Sequence, residues 1–208
     1  MVNRTAMATS AESRRRILET TAAAVRVCKA CRLHATRTTA VPGEGARDAA
    51  ILILGEAPGR DEDASGRPFV GRAGKVLNRA LKAAGLPRES VFITNVVKCR
   101  PPSNRKPTSK ELAACRPFLL AQIAAIRPKM IVTLGSTALR GLIGPGSDFK
   151  SARGKTLPFG EVPVRATYHP AAVLYNRNLE RALRRDLRTF VRATRPRRVP
   201  GGSPRGNR

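Results

Sequence analysis

Four cysteines in two pairs place the strongest constraint on how this chain can fold. Two residues separate Cys28 from Cys31, fifteen separate Cys99 from Cys115, and the 208 residues contain no other cysteine. Two distant pairs with none left over predict a single site with four thiolate ligands. Four thiolates suit zinc or an iron–sulfur cluster, because soft sulfur ligands select those metals. The fifteen-residue gap fits a repeated zinc knuckle poorly and favours a cluster.

Two disulfides or four ordinary buried thiols are the alternatives to a metal site. Disulfides need an oxidising compartment, and residues 1–11 lack the apolar segment of a secretion signal. No stretch approaches the roughly 20 apolar residues of a membrane span. We therefore expect a cytoplasmic protein, located at the nucleoid of a bacterium, with no membrane partner.

The charge of the chain predicts a polyanionic partner. Forty Lys and Arg residues stand against 14 Asp and Glu, a formal net charge of +26. Counterion release makes nucleic acid the usual partner of such a protein. A GC-rich genome that favours arginine codons, with the arginines solvated at the surface, gives the same composition, so charge alone does not decide.

Alternating apolar runs and amphipathic segments predict an α/β fold with one domain. Runs typical of strands buried on both faces lie at residues 50–54, 91–94, 130–134 and 162–167. Helical patterns lie at residues 10–27, 73–84, 109–126 and 179–192, and residues 55–69 read as a long polar loop. A flexible arm at residues 1–10 and a basic, disordered tail at 193–208 are expected to flank a domain at 11–192.

Three polar sites follow three of these strands. Glu56 comes after the first, Asn95 after the second and His169 after the fourth. Because the carboxyl ends of parallel strands meet at one edge of a sheet, these side chains are expected to converge there.

Four ordered motifs resemble those of the family 4 uracil-DNA glycosylases. They are Gly-Glu-Ala-Pro-Gly at 55–59, Gly-Arg-Pro-Phe-Val-Gly at 66–71, Thr-Asn-Val-Val-Lys-Cys-Arg-Pro-Pro at 94–102 and His-Pro-Ala-Ala at 169–172. The resemblance runs from about Cys28 to Phe190. It implies a 4Fe-4S cluster on the four cysteines and a three-layer α/β/α sandwich, here with a central, mainly parallel four-stranded sheet. It also implies a monomer that hydrolyses the N-glycosidic bond of uracil in DNA and leaves an abasic site.

The resemblance assigns roles that suit the chemistry of each side chain. Phe69 can stack on a uracil extruded from the duplex. The Asn95 amide can pair with uracil O4 and N3–H, which cytosine cannot satisfy. His169 can donate a hydrogen bond to O2 as negative charge gathers on the departing base. Glu56 can position the attacking water or stabilise the cationic sugar.

Further residues complete the expected site. The backbone of Glu56, Ala57 and Pro58 is expected around the base, and Glu62 is expected to exclude the methyl group of thymine. Ala57 stands where the best-known uracil glycosylases carry an aspartate, so catalysis should be mainly electrostatic.

Outside the pocket, the sequence offers candidates for contact with DNA. Leu174, with Tyr175 next, is the expected wedge that fills the space left by the flipped base. Basic residues near the motifs are candidate phosphate contacts: Lys98, Arg100, Arg105, Lys106 and Arg153.

Two other functions fit parts of the sequence. A DNA-binding protein without catalytic activity, stabilised by a metal site, would use the cysteines and the charge but would not distinguish uracil from other bases. A related clade traps uracil-DNA covalently through a histidine in a Lys/Arg-rich insertion. The segment between Cys99 and Cys115 contains no histidine, which favours hydrolytic turnover.

Overall fold

A mixed, mainly parallel sheet forms the centre of the protein. The computed structural model describes residues 4–194, with side chains from residue 11 onward, and within them six strands in the order β1-β3-β2-β4-β6-β5. The strands are β1 (Glu44–Gly45), β2 (Ile51–Gly55), β3 (Phe92–Asn95), β4 (Met130–Leu134), β5 (Thr156–Phe159) and β6 (Val162–Thr167). The four central strands run parallel, while β1 and β5 are antiparallel edges.

The predicted mainly parallel sheet is confirmed, but the predicted count of four strands was wrong. The two missed strands are β1 and β5, which lack the apolar run of the central strands. β1 has two residues, Glu44 and Gly45, next to turn-forming residues. β5 alternates between exposed and half-buried positions and contains Pro158, a pattern that edge strands tolerate.

Helices cover both faces of the sheet. Their bounds are α1 (Arg4–Val27), α2 (Arg60–Ser65), α3 (Arg72–Ala83), α4 (Ser109–Ile126), α5 (Gly135–Ile143), α6 (Phe149–Ala152), α7 (Pro170–Tyr175) and α8 (Asn178–Thr194). Ile51 and Ile53 of β2 pack with α3, α7 and α8, whereas Leu52 and Leu54 pack with α1, α4 and α5. Successive side chains of one strand thus serve two separate cores, as in an α/β/α sandwich.

Two local expectations differ from the structure. Helix α1 begins at Arg4, within the segment expected to be a flexible arm, and residues 55–69 contain the short helix α2. Of the predicted tail, residues 195–208 lie outside the described residues. The proposed domain limits stay a prediction. No helix among the described residues is long and apolar enough to cross a membrane.

Candidate active site

One pocket opens at the carboxyl end of the parallel strands. Its volume is about 480 Å³, and it collects side chains from the ends of β2 and β3, from the loop after α2, from the loop before α4 and from α7. The residues that line it are Glu56, Ala57, Pro58, Gly59, Glu62, Phe69, Ala73, Asn95, Pro101, Asn104, Arg105, His169, Ala171, Ala172 and Tyr175. The residues predicted to bind uracil therefore meet in a single pocket.

Asn95 lies at the bottom of this pocket with an unused hydrogen-bonding atom. It is the last residue of β3 and pairs in register with Gly55 of β2. Its side chain is buried, and its Oδ1 has no hydrogen-bond partner among the described residues. Because a buried polar atom without a partner is costly, this atom marks a place for a ligand donor.

Phe69 forms one wall and is held in an unusual backbone conformation. Its φ is +51°, a left-handed value that a bulky side chain rarely adopts. A Cβ added at Gly55 would lie 2.6 Å from the Phe69 ring and 2.3 Å from Asn95 Oδ1. A Cβ at Gly74 would lie 1.9 Å from the Phe69 carbonyl oxygen. Both glycines are therefore needed for the close approach of Phe69 to the sheet and to α3.

Two charged side chains fasten the loop that carries Phe69. Glu62 accepts hydrogen bonds from the backbone N–H groups that follow Phe69, at Val70 (2.9 Å) and Gly71 (2.9 Å). Arg88 donates to the carbonyl groups of Pro68 and Phe69 on the other side. The strained residue is thus held from both directions, which is how such conformations persist at functional sites.

His169 is presented to the pocket as a neutral imidazole of one tautomer. It caps the N-terminus of α7, where Nδ1 accepts a hydrogen bond from the Ala171 N–H at 3.1 Å. Burial lowers the pKa of His169 to about 4. With Nδ1 used as an acceptor, the single proton of the neutral ring is on Nε2. The ring lies 5.7 Å from the Phe69 ring, centroid to centroid.

Glu56, Ala57 and Pro58 line the wall that follows β2. The carbonyl group of Glu56 accepts a hydrogen bond from the Val97 N–H at 3.2 Å, which ties this segment to the chain beyond Asn95. Among the described side chains, none bonds to the Glu56 carboxylate, so it is available to water or substrate.

The two wedge candidates differ in position. Tyr175 lines the mouth of the pocket and is 93% exposed, whereas Leu174 is 38% exposed and does not line it. Two lining residues, Asn104 and Arg105, come from the loop that follows the third motif, at residues 94–102. The sequence predicts Arg105 only as a phosphate contact and does not predict Asn104, because a polar residue in a loop gives no signal of facing a pocket.

The structure excludes one predicted phosphate contact and pairs two others, Arg105 and Arg153, with carboxylates. Arg105 forms an ion pair with the buried Glu111 at 2.6 Å. Lys98 is only 1% exposed, so it cannot reach DNA. Arg153 forms an ion pair with Asp186 at 3.0 Å and lies over the Tyr168 ring, 4.4 Å from its centroid. Its charge supports the segment before His169 and is already paired.

The four cysteines meet at a second, smaller cavity beside the loop at residues 99–108. Cys28, Cys31, Cys99 and Cys115 all line it, and none forms a disulfide. Among the described side chains, no group of three or more His, Cys, Asp or Glu is arranged to hold a single metal ion.

Hydrogen bonds around this cavity suit thiolates. Arg37 Nη1 donates to Cys99 Sγ at 3.0 Å, and the Lys98 N–H donates to Cys115 Sγ at 3.2 Å. Burial raises the pKa of Cys115 to about 11, against the opposing effect of the Lys98 cation. Binding of a metal group here would therefore displace protons from the thiols.

Comparison with known proteins identifies the family. The model of the "Uracil DNA glycosylase superfamily" matches residues 42–191. The chain belongs to this superfamily. Over 170 residues it is 51% identical to the type-4 uracil-DNA glycosylase of Sulfurisphaera tokodaii, covering 77% of each chain. It is 48% identical to the type-4 enzyme of Thermotoga maritima, covering 81% of this chain and 88% of that one. A type-5 uracil-DNA glycosylase of Pyrobaculum aerophilum is 32% identical over 155 residues.

The expected membership of family 4 is thereby confirmed. The superfamily match begins at residue 42 and ends in α8, so it contains the whole pocket. It leaves out Cys28 and Cys31.

Proposed function

We propose that this chain is a monofunctional uracil-DNA glycosylase that acts in base excision repair. In this proposal it flips uracil out of DNA and hydrolyses the N-glycosidic bond, leaving an abasic site. The observation that carries the proposal is the unpartnered Asn95 Oδ1 in a pocket with an aromatic wall and a neutral histidine donor. Asn95 matches the hydrogen-bonding edge of one pyrimidine, Phe69 matches its face, and His169 matches its O2 atom.

Recognition of the base follows from the chemistry of two side chains. The Phe69 ring offers a stacking surface for a flipped base. Asn95 Oδ1 accepts from uracil N3–H while its amide N–H donates to O4. Cytosine carries no proton on N3 and presents an amine at position 4. Both contacts would then fail in a buried site, which gives strong discrimination.

Cleavage requires stabilisation of a uracil anion and of a cationic sugar. His169 Nε2–H donates a hydrogen bond to O2, where the negative charge develops. The histidine does not have to change its protonation state first. Glu56 also lines the pocket, where its carboxylate can orient water and stabilise the sugar. Ala57 supplies no carboxylate of its own, so no strong general base is invoked.

Glu62 and Leu174 complete the proposed site. The Glu62 carboxylate bonds three backbone N–H groups, including that of Gly59 at 3.1 Å. We propose that this fixed segment closes the space beside C5 of the base, where the methyl group of thymine would lie. Leu174 is proposed to enter the space that the base vacates, with Tyr175 next to it.

A 4Fe-4S cluster is proposed at the four cysteines. Cys28, Cys31, Cys99 and Cys115 would hold it, and its role would be to cross-link the end of α1 to the loop beside the pocket. The hydrogen bonds from Arg37 and Lys98 support a group that carries negative charge on sulfur.

The proposed partner is uracil-containing DNA, bound by a monomer in the bacterial cytoplasm at the nucleoid. The basic charge of the chain supports this assignment, as does Arg100, which bonds the pocket residue Asn104 and has no carboxylate partner among the described residues. Contacts to phosphate would supply affinity, and the pocket would supply selectivity.

A strand-cleavage assay tests the proposal. Labelled duplex with one uracil opposite guanine is incubated with the protein, with His169→Ala and with Asn95→Ala, then treated with alkali. Cleavage by the unmutated protein that drops by about 100-fold or more in both variants is expected. Near-normal rates in both variants would show that the site is elsewhere. A covalently shifted band would indicate the trapping clade, and intact, unshifted DNA would leave a non-catalytic DNA-binding protein.

A further inference from the structure

Lys98 is a fully buried cation directly behind the pocket. Its Nζ donates to the Asn95 carbonyl oxygen at 2.8 Å, to Gln122 Oε1 at 2.7 Å and to Thr94 Oγ1. All three partners are neutral, and among the described residues no carboxylate pairs with it. A buried ammonium group is costly to keep. Its charge acts on the Cys115 thiol across the cysteine cavity, and one of its hydrogen bonds reaches the main chain at Asn95.

The hydrogen bonds around Lys98 connect the end of β3, which lines the pocket, to helix α4 and to the loop before β1. Gln122 Nε2 and Thr94 Oγ1 both donate to the Pro42 carbonyl oxygen, at 2.7 and 2.9 Å. The Lys98 carbonyl accepts from the Val41 N–H at 2.7 Å. Lys98, Thr94 and Gln122 therefore form one hydrogen-bond network that joins the loop before β1, helix α4 and the end of β3.

The chain leaves the sheet after Asn95, and both polar atoms of the peptide group that follows Asn95 are held. The Val96 N–H donates to the Gly55 carbonyl, and the Val97 N–H donates to the Glu56 carbonyl. The Asn95 carbonyl itself accepts from Lys98 Nζ at 2.8 Å. Loss of the Lys98 contact leaves this peptide group held on the Gly55 side alone, so the main chain that carries the Asn95 side chain can shift.

We propose that Lys98 is a positioning residue for uracil recognition, which holds the main chain at Asn95 so that its amide faces the base. This inference rests on the proposed function, because it takes Asn95 as the group that reads uracil. A displacement of about 1 Å at such a group weakens a bound state by an order of magnitude or more.

The network supplies matched controls for a merely structural role. Thr94→Val and Gln122→Met each remove a different partner of Lys98 Nζ and leave its contact with the Asn95 carbonyl. Both changes leave a buried group without its partner, as Lys98→Met does, so each should lower the thermal midpoint. Lys98→Met alone removes the bond to Asn95.

The test compares these variants by the inhibition constant of free uracil in the excision assay. We expect this constant to rise about tenfold or more in Lys98→Met and in Asn95→Ala, and to stay within about threefold in the two controls. Affinity for a uracil-free duplex should stay within about threefold in all four, since phosphate contacts are unchanged. Iron content and thermal midpoint are measured on the same samples.

Each outcome has one interpretation. A uracil inhibition constant in Lys98→Met equal to that of Thr94→Val and Gln122→Met would overturn the positioning role. An unchanged constant in Asn95→Ala would instead overturn the site assignment on which the inference rests. If Lys98→Met does not fold, Lys98→Gln, which keeps a shorter donor, is measured in its place, and an intermediate rise is expected.

Discussion

His169 and Asn95 each line the pocket with one side-chain atom that has no partner among the described residues. For His169, the N-cap bond to Ala171 uses Nδ1 and so directs Nε2–H inward. For Asn95, the strand ladder uses the backbone and leaves Oδ1 unpaired. A donor and an acceptor fixed in this way need no rearrangement when the substrate arrives, which is the condition for electrostatic catalysis.

The histidine tautomer can be observed directly, because the chain has only two histidines. Nitrogen-15 NMR of the labelled protein should show His169 as the neutral Nε2–H form, titrating only as the pH falls toward about 4. An unfolded histidine takes up its proton near 6.5. The free energy of unfolding should therefore be highest above pH 6.5 and decrease as the pH falls toward 4.

His169→Asn is the matched variant for this experiment. Asparagine is also a good N-cap, so α7 should be retained while the assigned imidazole signal disappears. An Nδ1–H tautomer, or a titration near 6.5, would contradict the proposed role of the ring.

At the scale of elements, the loop from α2 to α3 is the most constrained part of the site. Phe69 keeps a left-handed backbone because Glu62 bonds the N–H groups after it and Arg88 bonds the carbonyl groups around it. Glu44 supports Arg88 in turn, at 2.8 Å. Burial of Glu44 opposes ionisation, but the bonds from Arg67 and Arg88 lower the pKa of Glu44 overall. The carboxylate thus remains charged and continues to hold Arg88.

Arg88→Met should slow excision by about tenfold or more, because the stacking ring loses the support of its carbonyl groups. The thermal midpoint should fall by several degrees, because the hydrogen bonds to the Pro68 and Phe69 carbonyls are lost and the half-buried Glu44 loses a partner. Single-turnover excision and thermal unfolding measure the two effects. Arg79→Met on α3 is the control, since it removes only an exposed pair with Glu180 that contributes little. Equal excision rates in the two variants would rule out a role for Arg88 in positioning Phe69.

Element prediction succeeded where the local signal was strong. The four central strands were found because strands buried on both faces are continuous apolar runs. The capping box at the start of α4 is equally local: Glu111 N–H donates to Thr108 Oγ1, and Thr108 N–H donates to Glu111 Oε2. The two edge strands were missed because their pairing, and not their composition, makes them strands.

At the scale of the whole molecule, the cysteine cavity connects distant segments of the chain. Cys28 and Cys31 follow α1, while Cys99 and Cys115 flank the loop that carries Asn104 and Arg105 into the pocket. A group bound by all four would fix that loop relative to α1. Such a cross-link stabilises a fold mainly by restricting the unfolded chain.

Cys99→Ser should lose iron and thermal stability together, because one of four ligands is removed and the cross-link weakens. Iron content per protein and the thermal midpoint measure this. Ala124→Ser, at an exposed position of α4, is the control: it should change neither the iron content nor the thermal midpoint. A Cys99→Ser protein with full iron content and an unchanged midpoint would contradict the four-thiolate site.

The net charge should make DNA affinity steeply dependent on salt. Arg100→Gln removes a cation that bonds the pocket residue Asn104 at 2.8 Å and has no carboxylate partner among the described residues, so the slope of log affinity against log salt should become shallower by about 1. The loss should be equal for duplexes with and without uracil. Lys129→Gln is the control, because Lys129 immediately precedes β4, at the opposite edge of the sheet. A slope unchanged by Arg100→Gln would place the DNA path elsewhere.

The sequence alone determined the fold class, the four-cysteine set and the identities of the residues that meet in the pocket. These follow from local information: apolar runs, motif order and the rule that parallel strands end at one edge. It gave no sign that Lys98 is buried, that Arg88 supports Phe69 or that Gly74 must lack a side chain.

Only the tertiary structure decided those points, because each depends on atoms far apart in the chain. Lys98 meets Gln122, and Arg88 meets the carbonyl of Pro68, through contacts across 24 and 20 residues. No local pattern records such pairings. Whether a charge is solvated or buried, and which face of a ring is free, is set by what packs against it once the chain is folded.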